Sequence, residues 1–130
     1  MSSLSAHAQQ PTFYSCEVRG SYKIDHGDLA KSASSYWKGG KAIGQRFQVN
    51  IQTGAMIGDG FSSRHWPKTV VLDYGLTPRG SSYKVLYSSP PGGEFVNVAW
   101  LQVHASEVDN KSFIFLDDYE VFTGLCRYAS

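Results

Sequence analysis

Gln45-Arg46-Phe47-Gln48-Val49-Asn50-Ile51, followed by Gln52-Thr53-Gly54 and then Ala55-Met56-Ile57, is the stretch that decides the fold. Phe47, Val49 and Ile51 alternate with Arg46, Gln48 and Asn50, the two-residue period of a strand with one dry face and one wet face. Thr53-Gly54 has turn chemistry, and residues 55–57 begin a return strand before Gly58 and Gly60. A β-hairpin is therefore predicted at the centre of the chain.

The same period recurs on either side. Residues 12–19 place Tyr14, Cys16 and Val18 on one face and Ser15, Glu17 and Arg19 on the other. Residues 21–25 continue that strand after a bulge at Gly20. Towards the other end, residues 69–74, 82–87, 94–103, 112–116 and 120–126 read as strands. Residues 75–80, Pro90-Pro91-Gly92-Gly93, Asp109-Asn110 and Asp117-Asp118 separate them with turn residues. One short helix is expected over residues 28–38: Asp28 can cap it, Leu29, Ala30, Ala33 and Trp37 form its stripe, and Gly39-Gly40 stops it. About seven to nine short strands at this spacing predict a mainly β protein, an antiparallel meander forming a small barrel or a sandwich.

Composition agrees. A chain of 130 residues suits one domain, and 42% hydrophobic with 18% charged residues excludes a disordered polymer. Aromatic residues at 14% and 13 glycines favour strands with tight turns over packed helices. A net charge of +1 argues against bulk attraction to a polyanion, so nucleic acid is not an expected partner. Cations are concentrated between Lys23 and Lys84 and acids after it. That asymmetry either builds two oppositely charged faces or is mixed away by folding.

Residues 1–10 read as a signal-peptide remnant or disordered tail, because Ala6-His7-Ala8 has the small-x-small pattern of a signal-peptidase site. A single β domain is expected over residues 11–130. No apolar run is long enough to span a bilayer as a helix. Phe13-Tyr14-Ser15 lacks the small residues usual before a lipid-modified cysteine. A periplasmic or secreted monomer is the economical reading. In such an oxidising compartment the two cysteines, Cys16 and Cys126, are expected to bridge the first strand to the last and to cover edge strands. Closing a loop on the order of 100 residues stabilises by roughly 4–5 kcal/mol on the chain-entropy model.

Chemistry-bearing motifs are sparse. His7, His26, His65 and His104 form no metal-ligand spacing, so neither a metal nor a cofactor is expected. Asp25-His26-Gly27-Asp28 reads as a polar turn. Lys38-Gly39-Gly40-Lys41 lacks the remainder of a phosphate loop. Asp117-Asp118-Tyr119-Glu120 reads as a solvated hairpin tip rather than a catalytic acid pair. The more suggestive pattern is Trp beside cations in two loops: Trp37, Lys38 and Lys41 in one, Arg64, His65 and Trp66 in the other. Such loops offer flat apolar platforms with charge beside them, a binding rim for sugars or protein side chains. The bland alternative makes Trp37 and Trp66 plugs of the barrel ends. Trp100 reads as core or inter-strand packing.

Tyr14-Ser15-Cys16, the run from Phe47 to Gly58, and Val121-Phe122-Thr123-Gly124-Leu125-Cys126 together resemble a group of small exported proteobacterial proteins without an assigned function. The resemblance implies export and a disulfide and carries no activity. The early cysteine with Gly80-Ser81-Ser82-Tyr83-Lys84 is similar to bacterial lysozyme inhibitors of the small envelope β-barrel type. That likeness implies a protruding Gly80–Lys84 loop that blocks a cell-wall hydrolase. The leading expectation is a non-enzymatic binding or interaction protein, its partner a protein or carbohydrate in the envelope or outside the cell. The enzymatic alternative is a small hydrolase built on His65 or His104 with a remote acid.

Overall fold

The computed structural model describes residues 12–32, 41–58, 60–63, 66–76, 82–89 and 97–129. Their strands are β1 (Phe13–Asp25), β2 (Asp28–Lys31), β3 (Arg46–Asn50), β4 (Met56–Gly58), β5 (Lys68–Tyr74), β6 (Tyr83–Ser88), β7 (Val98–Val103), β8 (Lys111–Asp117) and β9 (Glu120–Ala129). All belong to one antiparallel sheet in the order β4-β3-β1-β9-β8-β7-β6-β5, with β2 paired to the far part of β1. The sheet curls into a half-barrel, so the barrel expectation holds and the sandwich does not. No helix occurs among the described residues, and none there is long and apolar enough to cross a membrane.

The alternation in β1 and β3 does what its period predicts: Tyr14, Cys16, Val18, Phe47 and Val49 are all buried. The expected interruption near Gly20 is a register shift between Val18 and Gly20 against β9. Gly54, at φ 80°, supplies the turn from β3 to β4, and a Cβ there would meet Val85 Cγ1 at 2.8 Å. Glycine is required for both reasons.

The helix expectation fails where it can be compared. Asp28 to Lys31 form β2, folded back on β1 so that Ile24 faces Leu29 and Asp25 faces Asp28. His26 and Gly27 lie at φ 51° and 85°, the paired positive values of a two-residue hairpin turn. That turn outcompetes Asp28 as a cap. Residues 33–38 of the expected helix lie outside the described residues.

Cys16 and Cys126 are directly opposite each other, with Cα atoms 4.0 Å apart and a disulfide between them. Contrary to expectation, the bridge covers no edge. β1 and β9 are neighbours in the middle of the sheet, and the edges are β4 and β5. Side chains manage the gap between those edges. The hydroxyl of Tyr87 donates to Gly54 O (2.7 Å), that of Tyr83 to Ile51 O (2.8 Å) and that of Tyr74 to Gln52 O (3.0 Å). On β4, Ser63 Oγ accepts the Met56 N–H and donates to Met56 O, standing in for a strand neighbour. Burial pushes the pKa values of Tyr83 and Tyr87 well above the ordinary phenol value, so both hydroxyls stay donors.

The interior is aromatic. Phe61 packs on Phe47, Phe115 and Phe122, and Trp66 packs on Tyr87 and Phe115. Folding also brings the two charge blocks together, with Lys23 opposite Glu120, while Lys84 pairs with Asp73 inside the first block at 3.8 Å.

Candidate functional site

The expected Trp and cation rim is only partly open to inspection. Trp37, Lys38, Arg64 and His65 lie outside the described residues. Lys41 is exposed ahead of β3, its carbonyl accepting a bond from Gln45 Nε2 at 2.8 Å. Trp66 is 1% exposed, and its indole is part of the core. Its backbone N–H donates to Ser63 O at 2.9 Å, in a tight turn leading into β5, and the wide interior takes the ring. The plug reading fits Trp66; an exposed platform does not.

Trp100 takes the inter-strand side of its expectation rather than the core side. It is half-buried on the outward face of β7, its Nε1 donating to Gln102 Oε1 at 3.3 Å. Val70 pairs with Leu86, Leu86 with Trp100, and Trp100 with Leu116. Leu116 pairs in turn with Val121, and Val121 with Tyr22. The result is one outward apolar row crossing six strands, about 24 Å long at the usual strand spacing. Val70 and Leu116 are each 38% exposed, and Val98 beside them is 45% exposed. The next outward row on one side is Lys84, Gln102, Ile114 and Thr123, polar apart from Ile114. The signal was present in the sequence: Val85-Leu86-Tyr87, Val98-Ala99-Trp100-Leu101 and Phe113-Ile114-Phe115-Leu116 are apolar at consecutive positions. Both faces of those strands are therefore apolar.

The remaining chemical groups are local. His104 Nδ1 stands 3.1 Å from Glu107 Oε1, and that oxygen also accepts the Ser112 N–H at 2.8 Å. The Ser112 bonds, with the neighbouring imidazole, hold the Glu107 carboxyl below the ordinary carboxylate range. The acid is thus three residues away rather than remote, and His104 opens onto a shallow depression beside Ser82 and Ser112. Lys111 is buried, donating from Nζ to the carbonyls of Ala105 and Glu107, 4.7 Å over the Tyr128 ring. It pins the loop between β7 and β8.

The acidic tip differs from its solvated expectation. Asp118, at φ 58°, makes a two-residue turn that sets Asp117 opposite Glu120. Glu120 is buried, and the Asp117 carboxyl is pushed up to about 6, first by burial and then by the charges of Glu120 and Asp118. Of the 80–84 stretch expected to protrude, Tyr83 is buried and Lys84 lies within β6. Residues 80 and 81 lie outside the described residues. Among the described residues no three His, Cys, Asp or Glu side chains are grouped to hold a metal ion. Comparisons with protein-family models, curated proteins and solved structures find no match to the chain.

Proposed function

We propose that the chain is an exported, non-enzymatic interaction protein that docks a protein partner on its outward apolar row. The observation that carries this reading is the unbroken register of Val70, Leu86, Trp100 and Leu116 on a solvent-facing surface. Folding requires apolar side chains inside; a contiguous outward set of them that stays partly exposed marks an interaction surface. A tryptophan at the middle of such a row is the residue type that dominates binding energy at protein interfaces. Export is supported by the disulfide, since such bridges persist in oxidising compartments.

The test is a photo-crosslinking residue placed at Leu86 in the producing cells, with the same residue at Gln48 as control. A discrete adduct from position 86, lost when Trp100 is changed to Asp, is the expected result. Equal labelling from both positions, or none, sinks the reading. If the adduct is a cell-wall hydrolase and pure protein slows that enzyme, the interaction is inhibition.

One observation favours a second reading. His104 is oriented by Glu107 in the manner of a general base held by a carboxylate. A small hydrolase built on it cleaves activated esters at a rate that depends on His104 taking a proton from the attacking water. His104→Ala then abolishes that rate without lowering the melting temperature; turnover unaffected by the substitution removes this reading.

A further inference from the structure

The opposite part of the outer surface carries a different constellation, independent of the apolar row. Arg46 on β3, Arg19 on β1 and Arg127 on β9 line one depression of about 270 Å³, with Ser15, Glu17 and Asn110 completing it. Register brings them together: Glu17 is the cross-strand partner of Arg46, and Ser15 is that of Arg127. Glu17 forms ion pairs with both flanks, Oε1 lying 3.5 Å from Arg19 Nε and Oε2 3.7 Å from Arg46 Nε. Among the described residues no other carboxylate lies within ion-pair distance of these arginines, Arg127 included. Three guanidinium groups thus face one carboxylate, leaving a local charge surplus of two.

Two features separate this cluster from a solvated charged face. First, Glu17 sets one oxygen beside each of two exposed arginines, so both guanidinium groups gather at the depression. A guanidinium fork matches the oxygens of a phosphate better than a lysine does. Second, the depression is floored by the β1–β9 pair, where Cys16 and Cys126 join inward, directly beneath Ser15, Glu17 and Arg127. The backbone under the arginines is covalently fixed, so little ordering is needed when a ligand arrives.

We propose that this depression binds a phosphate group, either free or as the charged end of a phosphosugar or phospholipid. Arg127 is the principal contact, Arg46 and Arg19 are its flanks, and Ser15 and Asn110 are neutral donors. Glu17 orients the arginines but also repels the ligand, which sets a distinctive sign: neutralising it tightens binding.

The test is a titration of the oxidised protein with inorganic phosphate at constant ionic strength, following the arginine Nε–H signals by NMR and using chloride as control. Saturable shifts at Arg127 and Arg46 are expected, with affinity at least tenfold weaker in Arg127→Gln and severalfold tighter in Glu17→Gln. Shifts that chloride reproduces, or that survive Arg127→Gln unchanged, overturn the proposal. So does weaker binding in Glu17→Gln. Glucose 6-phosphate binding more tightly than phosphate identifies a phosphosugar, and retention on phosphatidylglycerol vesicles abolished by Arg127→Gln identifies a lipid headgroup; either upholds the site.

Discussion

The outer face of the half-barrel over β5 to β8 and the outer face over β3, β1 and β9 are built on the same inner core, yet they present opposite chemistry. The first shows Val70, Leu86, Trp100 and Leu116; the second shows Arg46, Glu17, Ser15 and Arg127 at matching outward positions. Inward, both halves are alike, with Tyr14, Phe47 and Val18 on one side and Tyr87, Leu101 and Phe115 on the other, all buried. The demands of folding are thus met equally by the two halves. What differs between them is free to answer to something outside the molecule. The support beneath them differs as well. Covalent linkage underlies the arginines, and packed aromatic rings underlie the apolar row.

Removing the covalent support has the largest expected effect. Cys16→Ser with Cys126→Ser opens a link between residues 110 apart. It should lower stability by about 4–5 kcal/mol. Urea melts measure that loss. In conditions where the variant stays folded, phosphate affinity should fall while crosslinking from Leu86 survives; equal loss of both would erase the distinction between the halves. Next comes the aromatic support. Phe115→Ala empties the space among Phe61, Trp66 and Tyr87 and should cost about 3–5 kcal/mol. Trp100→Ala, on the outside of the same sheet, should cost about 1 kcal/mol or less. If the order reversed, Trp100 would be a structural residue and the apolar row would lose its functional meaning.

The smallest effect lies where the two halves meet, at Asp117 on β8 and Glu120 on β9. Asp117 holds its proton to about pH 6 in the folded chain, above the ordinary 3.8. The folded state therefore binds a proton that the unfolded chain has already lost in that window. Stability contributed by this group rises as pH falls from above 6 towards 4, and above 6 the charged form carries its full penalty. Partial solvation screens the effect. Asp117→Asn should raise the melting temperature by about 2–4 °C at pH 7.5 and leave it nearly unchanged at pH 4. A drop at pH 7.5 would show that the carboxylate holds the turn together.

Strand positions were legible because alternation is a local signal. The run 45–51, the bulge near Gly20 and the turn at Thr53-Gly54 all lie where residue order alone puts them. β2 was missed because Asp28 carries two meanings, a helix cap and the closing residue of a turn. The choice depended on His26 accepting a positive φ. The faces that Trp66 and Trp100 take were left open for a different reason. In strands that are apolar at every position the period has no phase, so which parity faces inward is set by register with distant strands. The arginine depression was invisible for the same cause, since Arg46, Arg19 and Arg127 meet only once β1 lies between β3 and β9. The Cys16–Cys126 pair was legible from the count of cysteines and an expected oxidising compartment, but its central place in the sheet was not.

That central place bears on how the chain finds its fold. Read around the sheet, the strands run β5 to β9 and then β1, β3 and β4, a circular permutation of chain order. Among the described strands every other ladder joins segments closer in the chain; β1 with β9 is the distant closure there, and also the longest ladder. Thr12 N–H already donates to Ala129 O at 3.2 Å, so a short linker could join those ends while new termini open between β4 and β5. Such a permutant converts the distant closure into a local hairpin and lowers the contact order of the fold. The disulfide does the same thing chemically. Once oxidised, the chain starts each refolding attempt with its slowest encounter already made.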